Sequence, residues 1–115
     1  MSKQSKVTLV GAGPGDPELI TIKGVKALQS ADVVLYDALV DPELLQYAPN
    51  AMHIPVGKRA GKSSVSQETI NHLIVQYAKE MGHVVRLKGG DSFVFGRGFE
   101  EKTYAEKHGL QVDVV

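Results

Sequence analysis

The sequence predicts an α/β domain with three layers, in which helices cover both faces of a mainly parallel, five-stranded sheet. Short apolar segments alternate along the chain with segments of helical periodicity, which is typical of strand–helix–strand units. Most of the apolar segments are unbroken runs, as expected of strands that are buried on both faces. At 115 residues, 43% of them hydrophobic, the chain can form one domain with a substantial core.

The first half of the chain contains three predicted strands. Val7–Val10 and Val33–Tyr36 are apolar runs, and Thr21 between them can cap a helix whose apolar residues recur every three positions. A proline directly after Asp41 occupies the first-turn position of a short helix. The third strand is "MHIPV", where Pro55 predicts a position at the edge of the sheet.

The second half contains the clearest helix. It begins near Ser64 or Ser66 and ends at Gly82. Its apolar positions follow the helical period: Ile70, Leu73, Ile74, Tyr77, Ala78 and Met81. A fourth strand, "HVVRLK", follows it, and a last helix from about Phe99–Lys107 ends at Gly109 before a fifth strand, "LQVDVV". The sequence stops inside that apolar run, from which we expect it to be the first domain of a longer protein.

The composition excludes several classes of function. The formal net charge is zero, from 13 basic and 13 acidic side chains, so nucleic acid or an anionic membrane would need a local basic patch. The absence of cysteine excludes disulfides and thiolate chemistry and is compatible with a reducing cytoplasm. No signal peptide or membrane-spanning run is visible. We therefore predict a cytoplasmic protein that binds neither nucleic acid nor membrane.

A glycine-rich loop, "GAGPGD", follows the first strand. Gly11 and Gly13 match the start of the dinucleotide fingerprint, but the third glycine position is Asp16, and Pro14 removes a phosphate-binding N–H. One feature favours a nucleotide, because Asp37 ends the second strand, where an acid that binds ribose is expected. The acidic loop suits a cationic or neutral ligand better than a phosphate, and a tight turn without a ligand is the alternative.

A second glycine turn lies in "RLKGGDSFVFGRG". In a parallel sheet, this turn and the first would both lie at the carboxyl ends of their strands, where α/β proteins bind ligands. Between them, "VGKRAGKSS" carries a basic cluster that is either a ligand site or a solvated loop. The four histidines show no spacing typical of metal ligands, so we predict no metal site.

Four motifs in the same order, "VTLVGAGPGDPELITIKG", "ADVVLYDALV", "VGKRAGK" and "VVRLKGGDSFVFGRG", resemble those of the tetrapyrrole methylases. The resemblance implies that methyl groups pass from S-adenosyl-L-methionine to ring carbons of uroporphyrinogen III. The products would be S-adenosyl-L-homocysteine and precorrin-2, a precursor of sirohaem and cobalamin. It also implies a homodimer, and a second domain, absent here, that completes the cleft. Residues 1–115 would then be the amino-terminal cofactor and substrate domain.

The resemblance also assigns roles to residues. The cofactor contacts would be Pro14, Gly89, Gly90, Asp91 and Val94. Asp37 would accept a proton and Lys58 would donate one. A carboxylate is a weak base in water, so this role would need Asp37 to be buried or to have a raised pKa. Alternatively, Asp37 begins a turn and Lys58 is a solvated charge.

The substrate implied by the resemblance carries carboxylates, so it should bind to basic side chains. The candidates are Arg59, Lys62 and Arg97, whereas Arg86 and Lys88 lie in or beside a strand, where a structural role is the alternative. Two other functions stay open: another precorrin or related methyltransferase, such as diphthine synthase, and a nucleotide-binding module without catalysis. The motifs "VGKRAGK" and "GRGFEE" favour methylation of uroporphyrinogen III over both of these functions.

Overall fold

The structure is a computed structural model that describes residues 5–12, 20–37, 40–56, 66–89 and 97–115, without the side chains of residues 97–99. The elements along the chain are β1 (Lys6–Gly11), α1 (Ile22–Gln29), β2 (Val33–Tyr36), a 3₁₀ helix (Pro42–Tyr47), β3 (Met52–Pro55), α2 (Gln67–Met81), β4 (His83–Lys88), α3 (Arg97–Lys107) and β5 (Gln111–Val114). Strands alternate with helical segments from β1 to β5, which confirms the predicted α/β class.

The sheet has five strands in the order β3-β2-β4-β1-β5. All four strand pairs are parallel, so the predicted mainly parallel sheet is confirmed. Pro55 lies in β3 at one edge of the sheet, as the sequence predicts, where a missing N–H disturbs no ladder on its open side. β4 is the central strand and is buried along its whole length.

Two apolar clusters cover the two faces of the sheet. On one face, α2 and α3 pack through residues such as Ile74 and Ala105 against Leu9 and Leu35. On the other face, α1 and the 3₁₀ helix pack against the alternate residues of the same strands, among them Val34. The side chains of one strand alternate between the two clusters because successive residues of a strand point to opposite faces. The domain therefore has the three predicted layers.

The helix starts follow the capping residues of the sequence. The Thr21 hydroxyl accepts a hydrogen bond from the Gly24 N–H at 3.0 Å, and Ser66 caps α2 in the same way through the N–H of Thr69. Ser64, the alternative start of α2, lies outside the described residues. α2 ends at Gly82, whose φ of 114° favours glycine. The last helix begins at Arg97, two residues before the predicted start.

Gly24 lies in the first turn of α1, where the helix approaches β1 closely. A Cβ at this position would lie 2.9 Å from Cγ1 of Ile20 and 3.0 Å from Cγ1 of Val10. A larger residue would therefore require both of these side chains to shift, so glycine allows the close approach of helix and strand.

Candidate functional site

The carboxyl ends of β1, β2 and β4 meet at one edge of the sheet, which we call the carboxyl edge. Gly11 of β1 lies opposite Lys88 of β4, and the N–H of Ala12 donates to the carbonyl of Lys88 at 2.7 Å. On the other side of β4, the N–H of Asp37 donates to the carbonyl of Leu87 at 3.3 Å. Gly11, Asp37 and Gly89 therefore lie at neighbouring strand ends on one side of the sheet, as parallel pairing predicts.

Asp37 is partly buried, with 24% of its side chain exposed. Its Oδ1 accepts a hydrogen bond from Nη2 of Arg86 at 2.7 Å. The Asp37 carbonyl also accepts a hydrogen bond from the N–H of Val40 at 3.2 Å, which is the contact of a turn, as one of the two interpretations of the sequence has it. The carboxylate is held by a cation at the edge where ligands bind in α/β proteins.

Arg86 belongs to a buried network of charges beneath this edge. Its Nε donates to Oε2 of Glu101 at 2.9 Å, and Nζ of Lys88 lies 3.3 Å from Oε1 of the same carboxylate. Nε2 of Gln67 donates to Oε2 of Glu101 at 3.1 Å. The Glu101 side chain is fully buried and that of Arg86 is 3% exposed. Arg86 and Lys88 are thus structural residues, and Arg86 also reaches the site through its contact with Asp37.

The charges of this network balance. Arg86 and Lys88 face Asp37 and Glu101, so two cations neutralise two anions. Because removing charges from water is costly, such a cluster persists only when each charge is paired and hydrogen-bonded. The network joins the ends of β2 and β4 to the first half of α3, so it fixes the relative position of three elements that border the site.

Sequence reasoning missed Glu101, although a signal for it was present. Arg86 and Lys88 are two positions apart, so they share one face of a strand that the sequence predicts to be buried on both faces. Buried cations require carboxylate partners, and the next helix supplies one in Glu101. Which acid pairs with which cation depends on how α3 packs over the sheet, and a single sequence does not give that distance.

Of the sequence-predicted site residues, the structure describes Asp37 and Gly89, which follow neighbouring strands at the carboxyl edge. Arg97 is placed only by its backbone, as the first residue of α3. The remaining candidates lie outside the described residues: Pro14, Lys58, Arg59, Lys62, Gly90, Asp91 and Val94. Within the described ranges, no group of three or more histidine, aspartate or glutamate side chains is placed to hold a metal ion.

A cavity of about 460 Å³ lies away from this edge, between α1 and the β1–β5 side of the sheet. Lys6, Lys23, Ser30 and His83 contribute to its lining, and no residue that the sequence predicts for the site does so. The site therefore rests on the strand ends and their charges, and not on this cavity. No helix in the part of the chain that the structure describes is long and apolar enough to cross a bilayer.

A three-layer parallel domain that has glycines and an ion-paired carboxylate at neighbouring strand ends is the framework expected of a small-molecule-binding α/β protein. The family profile of the tetrapyrrole (corrin/porphyrin) methylases matches residues 6–115. The chain belongs to this family, which confirms the resemblance that the four motifs carry.

Two relatives with similar sequences are a methyltransferase and a siroheme synthase. The chain is 61% identical to the uroporphyrinogen-III C-methyltransferase of Methanocaldococcus jannaschii over 111 residues, which are 96% of this chain and 46% of the relative. It is 52% identical to the siroheme synthase of Blochmanniella floridana over 114 residues, which are 98% of this chain and 25% of that protein. The chain thus spans about half of the first relative's length and a quarter of the second's.

Solved structures of the family share this fold. The native uroporphyrin III C-methyl transferase of Thermus thermophilus matches with a TM-score of 0.81 at 50% identity, over 96% of this chain and 47% of that one. A Thermus thermophilus structure complexed with S-adenyl homocysteine matches with a TM-score of 0.80 at 49% identity, over the same shares. A cobalt precorrin-4 methyltransferase matches with a TM-score of 0.77 at 36% identity, over 96% of this chain and 45% of that one.

Proposed function

We propose that this chain forms one half of the active-site cleft of a methyltransferase that uses S-adenosyl-L-methionine to methylate ring carbons of uroporphyrinogen III. The 61% identity to a uroporphyrinogen-III C-methyltransferase over nearly the whole chain carries the proposal. The product would be precorrin-2, on the route to sirohaem and cobalamin. Residues 1–115 would be the amino-terminal domain, and a second domain would close the cleft, since the chain matches only 46% of that relative.

The carboxyl edge fits the cofactor as one wall of such a cleft. The backbones of Ala12 and Lys88 are hydrogen-bonded where β1 and β4 end, so the two glycine turns start next to each other. A sulfonium cofactor needs a close backbone approach and no phosphate cradle, which glycine turns containing Pro14 and Asp91 can provide. We assign cofactor binding to Pro14, Gly89, Gly90, Asp91 and Val94. When bound, the cofactor supplies an electrophilic methyl group.

Methylation of a ring carbon leaves a proton that the new bond makes acidic, and a base must remove it. We assign this step to Asp37, whose partly exposed carboxylate lies at the carboxyl edge next to the β4 turn. Lys58 is the proposed proton donor. Arg59, Lys62 and Arg97 are the proposed partners of the substrate carboxylates, and the backbone of Arg97 begins α3, the helix that Glu101 ties to this edge.

A later-acting corrin methyltransferase is the second candidate, since a cobalt precorrin-4 methyltransferase shares the fold. The comparisons favour the first candidate, because identity to that enzyme is 36% against 50% for a uroporphyrin III C-methyl transferase.

We also propose that the complete enzyme is a cytoplasmic homodimer that binds neither nucleic acid nor membrane. The zero net charge and the absence of cysteine support that location and those partners, and sedimentation of the complete enzyme tests the dimer.

The test uses the chain alone and a chimaera in which it replaces the matching segment of the Methanocaldococcus jannaschii relative; we call this chimaera the completed enzyme. We expect the completed enzyme to convert uroporphyrinogen III to precorrin-2. The chain alone should bind S-adenosylmethionine weakly and turn over negligibly, because half a cleft buries only part of a small ligand. Calorimetry with NAD in place of S-adenosylmethionine tests the alternative of a nucleotide-binding module. Tight NAD binding without methylation by the completed enzyme contradicts the proposal.

A further inference from the structure

We propose that Arg86 is a positioning residue, which holds the Asp37 carboxylate in the orientation that proton removal requires. This inference rests on the proposed role of Asp37 and adds to it the residue through which the fold controls that carboxylate. Arg86 lies within the central strand β4 and is buried, so it reaches the reaction through Asp37 and has no direct contact with a ligand in this role.

The guanidinium of Arg86 is fixed on three sides. Nε donates to Glu101 at 2.9 Å, and Nη1 lies 3.4 Å from the carbonyl oxygens of Leu35 and Leu87. Nη2 is the end that reaches Asp37, at 2.7 Å. Because the group is planar, contacts at Nε and Nη1 set the position of Nη2. Asp37 is thus paired with a donor that the core holds in place.

This pairing also selects one oxygen of the carboxylate. Arg86 engages Oδ1 of Asp37, and Oδ2 is the oxygen that the contact leaves to accept a proton. Asp37 follows the last residue of β2, where its backbone N–H is bound to Leu87, so backbone and side chain are both tied to β4. A carboxylate that is fixed at both points loses little orientational freedom when it acts, which is how preorganised groups gain rate.

On the side away from Asp37, the Arg86 guanidinium is held by Glu101, which lies in the helix that begins at Arg97. The same carboxylate accepts a contact from Lys88, directly before Gly89 of the proposed cofactor turn. The network therefore sets the base relative to the two elements proposed to hold substrate and cofactor. A lysine in place of Arg86 would keep the charge but would supply one nitrogen where the guanidinium supplies three, so it could not bridge Glu101 and Asp37 in the same geometry.

A double-mutant cycle in the completed enzyme tests the inference, with Arg86→Lys and Asp37→Asn made singly and together. We expect Arg86→Lys to lower kcat by up to about 10²-fold, as misplacement of a reacting group by about 1 Å does, with little change in the KM for S-adenosylmethionine. In the Asp37→Asn background, the same substitution should lower kcat little further, because the group it positions is already lost.

Lys88→Met is the matched control, since Lys88 pairs with Glu101 and makes no contact with Asp37 among the described residues. Its effect on kcat should be the same in both backgrounds. Glu101→Gln serves as the second variant should Arg86→Lys not fold, because it weakens the contact that holds Nε of Arg86. Its effect on kcat should also depend on Asp37. Circular dichroism melts report folding for every variant.

Equal losses of kcat from Arg86→Lys in the two backgrounds would overturn the inference, because Arg86 would then only support the fold. Equal losses from Glu101→Gln would do the same if Arg86→Lys does not fold. An unchanged kcat in Asp37→Asn itself contradicts the proposed role of Asp37 instead, so the two failures are distinguishable. In the 115-residue chain, a change in the Arg86 Nη2–H resonances on Asp37→Asn, observed by NMR, reports the contact directly.

Discussion

The two ends of β4 carry buried polar groups of opposite kinds. At the carboxyl edge, four charged side chains form ion pairs: Asp37, Arg86, Lys88 and Glu101. At the other end, which we call the amino edge, the side-chain partners of the His83 ring are the neutral hydroxyls of Thr8 at 2.7 Å and Ser30 at 3.1 Å, while the backbone N–H of His83 donates to Oδ2 of Asp32 at 2.8 Å. The side chains buried in β4 are thus ionised at one end and a hydrogen-bonded imidazole at the other, about 16–17 Å apart along the strand at the usual rise per residue.

The hydrogen bonds at the amino edge fit an uncharged ring. The Ser30 hydroxyl donates to the carbonyl of Ala27, so the consistent arrangement has Nδ1–H of His83 donating to Ser30 and Nε2 accepting from the Thr8 hydroxyl. Burial lowers the pKa of His83 below the ordinary value of 6.5, and the nearby Lys6 acts in the same direction. The hydrogen bond to the Ser30 carbonyl and the charges of Asp32 and Asp113 oppose that shift.

The difference predicts which end of the strand affects catalysis. Ion pairs hold their members in fixed directions, but removing their charges from water is costly. A buried ion pair is therefore weak evidence for stability, and its better explanation is that it fixes the geometry of the groups it joins. Neutral hydrogen bonds cost less to bury and serve the fold. We therefore expect substitutions at the carboxyl edge to change catalysis strongly, and substitutions at the amino edge to change stability alone.

The largest expected effect is on turnover. Asp37→Asn in the completed enzyme should lower kcat by about 10²–10⁴-fold, the usual contribution of a general base, and leave the affinity for S-adenosylmethionine nearly unchanged. Folding should persist, because the side chain is partly exposed and an amide oxygen can still accept from Arg86. Asp41→Asn, the same change at the cap of the 3₁₀ helix, is the control and should keep full activity. Lost cofactor binding with normal turnover at saturation would make Asp37 a nucleoside ligand.

The next largest effect is on stability at the carboxyl edge. Glu101→Leu should lower the free energy of unfolding by roughly 3–5 kcal/mol, because two buried cations lose their shared partner. Glu106→Leu breaks the exposed ion pair with Lys102 in the same helix and should cost less than about 1 kcal/mol. Urea unfolding of the 115-residue chain measures both. Equal losses would show that burial adds nothing to this ion pair.

Arg97→Ala should mainly weaken substrate binding in the completed enzyme. Losing one charge-assisted hydrogen bond to a substrate carboxylate costs roughly 1.5–3 kcal/mol, or about 10–100-fold in affinity. Lys102→Ala, which removes an exposed cation of the same helix, is the control and should leave the KM for uroporphyrinogen III unchanged. Steady-state kinetics decide: an unchanged KM and kcat in Arg97→Ala would make this arginine a solvated surface charge.

The smallest effect concerns the amino edge and depends on pH. Below pH 6.5, the ordinary pKa of an unfolded histidine, the unfolded state binds more protons than the folded state with its lowered His83 pKa. The free energy of unfolding should therefore fall as the pH drops from 6.5 to the folded pKa, by at most about 1.4 kcal/mol per pH unit. Urea titrations of the chain at several pH values measure this slope.

His83→Gln should lower stability at neutral pH and flatten that slope, whereas His108→Gln, at an exposed position of the chain, should keep it. Activity of the completed enzyme at neutral pH should not change in His83→Gln at a temperature where the variant is folded. A large loss of kcat in that variant would break the separation between the two edges.

The sequence alone determined the element order, the parallel sheet and the edge position of β3, because each depends on local patterns: apolar period, capping residues and one proline. It also indicated the carboxyl edge, since parallel strands end on the same side. The packing of α3 decided the rest. From the sequence alone, Arg86 and Lys88 could be solvated, bound to a ligand or paired with a buried carboxylate. Their distance to Glu101, which lies 15 and 13 residues away in the chain, decided in favour of the carboxylate. Ion-pair energy depends on distance and burial together, and both arise only when a helix closes over the sheet.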